Sequence, residues 1–104
     1  MAQGRFFSAI EDLPLAPGLT EHSGGFVFQG EEGRIVSVAA EGPADADSVR
    51  AFYRETLPAL GWAENPGADP AEFLRGRERL ILDIAESDAG LRLEARLIAR
   101  AAPD

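Results

Sequence analysis

The chain has 104 residues, enough for one domain with a single core that needs no metal or disulfide to hold it. It has no cysteine, which excludes disulfides, thiolate catalysis and cysteine-ligated zinc. Its formal charge of −8 repels phosphate, so neither nucleic acid nor an anionic membrane is expected as a partner.

Residues 1–12 are expected to be a flexible leader carrying Phe6, Phe7 and Ile10. Glu11 and Asp12 break any continuous apolar run, so the segment is not expected to be a signal peptide. No stretch approaches the roughly 20 apolar residues of a membrane span. The expectation is a soluble, cytoplasmic protein with no cofactor. A single α+β domain is expected over 13–100, with a short tail at 101–104.

From Leu13 the run LPLAPGLTEHSGG places Pro14 and Pro17 in an extended path, since each proline also turns its predecessor away from α geometry. Leu13, Leu15 and Leu19 are candidate anchors for this arm. Phe26–Gln29 and Arg34–Ala40 read as an antiparallel hairpin around Gly30-Glu31-Glu32-Gly33. Phe26 and Phe28 share one face by the period of two, as do Val36 and Val38 on the second strand.

The segment VRAFYRETLPALGW, Val49 to Trp62, carries the clearest pattern. Val49, Phe52, Tyr53, Leu57 and Leu60 recur at spacings of three and four, the stripe of an amphipathic helix. Asp45 is the expected N-cap, with Asp47 in the first turn near the positive end of the dipole. Pro58 predicts a kink or a tighter last turn, and Gly61 the stop. A short strand is possible around Trp62. After the loop AENPGADP, a hairpin is expected around Gly76, pairing Glu72–Arg75 with Arg79–Ala85. Leu91–Arg100 follows as the clearest strand, with Leu91, Leu93, Ala95 and Leu97 alternating against Arg92, Glu94 and Arg96.

The order β-β-α-β-β-β implies a two-layer sandwich, with one main amphipathic helix packed on an antiparallel sheet of 4–6 strands. Val27, Ile35, Ile81 and Ile98 are expected on the sheet face away from the helix. That second apolar set is either covered by the N-terminal arm or is an interface.

Few residues suggest chemistry. His22 is the only histidine and sits in a polar loop without a second ligand at metal spacing. Glu31-Glu32 and the pair Asp45 and Asp47 do not follow a calcium-loop pattern, and Asp45 already has a capping role. Arg75, Arg77 and Arg79 form the densest positive cluster, a possible anion contact, although Glu72 and Glu78 interrupt it. Tyr53 and Trp62, aromatics with polar handles, are candidates to line a ligand pocket between helix and sheet. No G-x-S-x-G, P-loop or dinucleotide fingerprint is present, so the sequence assigns no catalytic, cofactor-binding or metal residue.

The segment AFYRETLPALGW, with FVFQGEEGRIVSVAAEG before it and EFLRGRERLILDI after it, resembles small bacterial α/β proteins of unknown function. They share an FY…LP…LGW helix followed by antiparallel strands, and some related domains occur in envelope lipoproteins. The likeness covers roughly residues 13–100. It implies the two-layer fold and carries over no catalytic residue. The expectation is a non-catalytic protein-interaction or self-associating module. The alternative is a small-molecule binder or enzyme with a pocket at Tyr53 and Trp62.

Overall fold

The computed structural model describes residues 6–10, 12–22, 25–88 and 90–101. Leader residues 1–5 and 11, and tail residues 102–104, lie outside the described residues. The fold is α+β, with the elements β1 Thr20–Glu21, β2 Phe26–Gly30, β3 Gly33–Gly42, α1 Ala46–Thr56, a 3-10 turn Leu57–Leu60, β4 Ala63–Glu64, β5 Ala71–Arg75, β6 Glu78–Ser87 and β7 Gly90–Arg100. The strands form one antiparallel sheet in the order β1-β3-β7-β6-β5-β4, with β2 also on β3. The sequence did not announce β1: two residues are too few to show an alternation.

Register sorts every side chain onto one of two faces. On one face, the cross-strand row Val36–Leu97–Leu80–Phe73 lies beside Val38–Ala95–Leu82–Ala71 and Ala40–Leu93–Ile84. These residues are buried, apart from the half-buried Ala71 and Ile84. Val49, Tyr53 and Leu57 from the helical segment belong to the same buried cluster.

The helix forms for local reasons. Asp45 Oδ2 accepts from the Ser48 backbone N–H at 3.0 Å, satisfying one of the orphan donors of the first turn. Pro58 has no N–H to continue the α ladder, and the chain tightens to 3-10 geometry over Leu57–Leu60. Gly61 then adopts φ 95°, with Gly61 N–H donating to Pro58 O at 3.1 Å and Trp62 N–H to Leu57 O at 3.1 Å. That pair of bonds is a Schellman stop, which needs a residue at ease with positive φ.

The N-terminal arm corrects one expectation and bears on one alternative. Phe7 and Ile10, assigned by the sequence to a flexible leader, are buried in the core together with Leu13, Leu15, Ala16 and Leu19. The arm closes on itself through Phe7 N–H to Leu13 O at 3.0 Å and a bridge between Phe6 and Pro14. Its described residues pack into the same cluster as the helix and not on the second sheet face.

Candidate functional site

β1 and β2 are two pieces of one broken edge. Both run antiparallel to the same side of β3, β1 against Ala40–Glu41 and β2 against Gly33–Ser37. His22 N–H donates to Ala39 O at 2.8 Å. A small cleft of about 220 Å³ is bordered by His22, Phe26, Ser37, Arg92 and Glu94.

Beside that cleft runs a ladder of charges. His22 Nε2 lies 2.9 Å from Glu41 Oε1, Arg92 Nη1 lies 3.4 Å from Glu41 Oε2, and Arg92 Nε lies 3.2 Å from Glu94 Oε2. The hydrogen bond from His22, assisted by Arg92 against a smaller effect of burial, holds Glu41 below the usual carboxylate range. A carboxylate that accepts hydrogen bonds beside the Arg92 guanidinium stays ionised and is poorly placed to trade protons near neutral pH. Among the described residues no three His, Asp or Glu side chains converge to hold a metal ion.

The aromatic pair proposed for a ligand pocket belongs to the core. Tyr53 and Trp62 are 1% and 3% exposed. The Tyr53 hydroxyl donates to Pro14 O at 2.8 Å and accepts from the Ala16 N–H at 3.2 Å. The indole of Trp62 carries the Arg75 guanidinium 4.2 Å above its ring. The depression beside Tyr53 has a volume of about 20 Å³, room for about one water and no more. The arm is anchored on the Tyr53 hydroxyl from the buried side of the helix.

The arginine cluster is divided by its neighbours. Arg75 is bound by Glu78 at 2.7 Å, Asp12 at 2.8 Å and the Leu60 carbonyl at 3.0 Å. Burial would lower its pKa, but Glu78 and Asp12 outweigh that and raise it. Arg79 pairs with Glu72, while exposed Arg77 makes no ion pair among the described residues. The three side chains do not converge on a common anion.

The face of the sheet opposite the core is where apolar surface remains. Its central row is Phe28–Ile35–Ile98, continued by Arg79 and Leu74, and the next is Phe26–Ser37–Arg96–Ile81. Ile35, Ile81 and Ile98 therefore share a face, as the sequence suggests. Val27 does not: it pairs with Val36 and points to the core side. The two-residue turn Glu31–Glu32 sets Gly30 opposite Gly33, which fixes the parity of every β2 residue and turns Phe26 and Phe28 outward. The sequence holds the signal for this, because two glycines flanking a two-residue turn already define the register.

All five β2 residues are exposed, with Phe26 at 56%, Val27 at 54% and Phe28 at 57%. Neither the helix nor the arm covers Val27. In a two-residue hairpin the pair flanking the turn is hydrogen-bonded, so Gly30, Phe28 and Phe26 spend their backbone groups on β3. The N–H and C=O of Val27 and Gln29 then point outward from the free edge. At the hairpin end an open groove of about 840 Å³ is lined by Phe28, Gly30, Gly33, Ile35, Ile98 and Arg100 among others. Gly33 has φ 141°, and a Cβ there would lie 2.1 Å from Ala99 O, so this end of the groove admits no side chain.

No helix among the described residues is long and apolar enough to cross a membrane. Comparison of the chain with protein-family models, curated proteins and solved structures finds no match.

Proposed function

We propose that the chain is a non-catalytic interaction module that takes an extended polypeptide segment against the free edge of β2. One observation carries this reading: a strand of sequence FVFQG, exposed along its whole length, is paired on one side only among the described residues. Natural edge strands are ordinarily guarded by charge, proline or a covering loop. β2 has none of these within Phe26–Gly30, and its side chains offer aromatic contacts on one face and Val27 on the other. Edge addition uses such a combination, with backbone bonds for affinity and alternate side chains for selectivity. The net charge of −8 favours a protein partner over nucleic acid. The burial shared by helix, arm and sheet supports a two-layer sandwich in which this edge is the uncovered part, in keeping with the resemblance to small bacterial α/β proteins.

Val27→Pro tests the proposal. Its N–H points away from β3, so proline there removes an outward donor without touching the hairpin's own bonds. Short extended peptides selected from a displayed library against the wild type are expected to protect the Val27 and Gln29 amides from exchange. They are expected to lose binding to Val27→Pro while its circular dichroism stays unchanged. Equal binding to both proteins would remove the edge from the proposal.

A further inference from the structure

We infer that the partner of this edge is a second copy of the chain, paired antiparallel about a two-fold axis that sets Phe28 opposite Phe28 of the other copy. The inference rests on the reading of β2 as a docking edge and adds the occupant and its register.

The strand is self-complementary in this register. Val27 of each copy falls opposite Gln29 of the other, and these are the two β2 residues whose backbone groups point outward. Each such pair exchanges two bonds, so the pairing closes four hydrogen bonds within Phe26–Gly30. Phe28 against its equivalent is a non-bonded pair, the closer of the two antiparallel spacings at about 4.5 Å between Cα atoms. The row Ile98–Ile35–Phe28 then runs on through Phe28, Ile35 and Ile98 of the second copy, six apolar residues without a charge.

The neighbouring row supplies a knob and a hole. Phe26 falls opposite Gly30 of the second copy, and beyond Gly30 lies Gly33. These two glycines, with Phe28 and Ile35, line the open groove at the hairpin end. The exposed Phe26 ring of one copy thus meets the hollow in the other. Both features sit on one strand, the requirement for an isologous contact.

Charge and area set the strength. Phe26–Gly30 carries no ionisable side chain, whereas each copy carries −8 overall. Long-range repulsion therefore opposes encounter, and the paired strand itself, Phe26–Gly30, brings no charge to the contact. Each half-exposed phenylalanine contributes about 100 Å², and two copies together bury on the order of 800 Å². A stable complex commonly needs about 1,200 Å² or more. The dimer is accordingly weak and reversible, and salt strengthens it by screening the repulsion.

The chain has no cysteine, so single substitutions report register cleanly. Phe28→Cys is expected to form a disulfide-linked dimer under mild oxidation at least ten-fold faster than Phe26→Cys or Gly30→Cys alone, while an equal mixture of those last two cross-links as a heterodimer. Preferential linkage of Phe26→Cys to Phe28→Cys instead would establish pairing about Val27 and overturn the register. Sedimentation equilibrium of the wild type is expected to show a monomer–dimer equilibrium that tightens with salt and weakens at least ten-fold in Phe28→Asp. A wild type that stays monomeric at millimolar concentration would overturn the second copy as partner. If displayed peptides still protect Val27 and Gln29 in that case, the docking edge stands and its occupant is another chain; if they do not, both readings fall.

Discussion

Tyr53 shows how one side chain can hold two distant segments in register. Its ring lies in the helix stripe, 5.0 Å edge-on from Phe52, and its hydroxyl is the hub on which the proline-rich arm turns. Burial pushes the phenol up, so it stays neutral and can donate and accept at once. Tyr53→Phe leaves the Pro14 carbonyl and the Ala16 N–H buried without partners, and is expected to cost about 1–3 kcal/mol. Chemical denaturation should show a lower midpoint with an unchanged slope. The stripe position of Tyr53 was legible, because helical periodicity is a local property. Its hydroxyl's partners were not, since they lie far upstream in a segment with no period of its own. Arg75 was similarly half-legible: its neighbour Glu78 is close in sequence, but Asp12, Leu60 and Trp62 come from three other places.

Among the elements, the arm departs most from what its sequence announces. Leu13, Leu15 and Leu19 read as anchors, but no helical stripe or strand alternation marks the segment before them, and six of the arm's side chains between Phe7 and Leu19 enter the core. A short irregular segment is buried only where packing against the rest of the molecule offsets its ordering, which is a tertiary fact. Phe7→Ala is therefore expected to destabilise the fold by about 3–5 kcal/mol, the range for phenylalanine removed from a core. A thermal or denaturant melt checks this, and a change below about 0.5 kcal/mol would return Phe7 to a leader. The helix stood at the other extreme. Its cap, its tightened end at Pro58 and its glycine stop are all written within a span from Asp45 to Trp62. For the β2–β3 hairpin, hydrophobicity made the pairing legible but not the face, because apolar residues stand on both sides of β2. There the turn, and not the hydrophobicity, decided which way Phe28 points.

At the scale of the whole molecule, one sheet face serves the core and the other carries salt bridges around an apolar row. The charged network is expected to contribute to the acid response. Glu41 is held below the ordinary carboxylate value of 4.5 by His22 and Arg92, and Glu72 by Asn65 and Arg79. A depressed carboxylate contributes stability above its unfolded value and loses it as pH falls through the folded one. Stability should thus decline below about pH 4.5, and the double variant Glu41→Gln, Glu72→Gln should show a shallower decline. Urea midpoints measured from pH 6 down to pH 2.5 give the comparison, and parallel curves would assign the acid response to other groups.

The pairing of β3 with β7 sets the order in which this molecule can be made. β3 is complete early, yet its inner neighbour is the last strand of the sheet, with Gly33 meeting Arg100. On the ribosome, the β2–β3 hairpin and the helix emerge with that long edge still vacant, and the arm has no finished surface on which to settle. Closure of the sheet waits for β7, so the fold is high in contact order. During that interval the FVF strand and the vacant side of β3 are exposed together, on nascent chains that share one message.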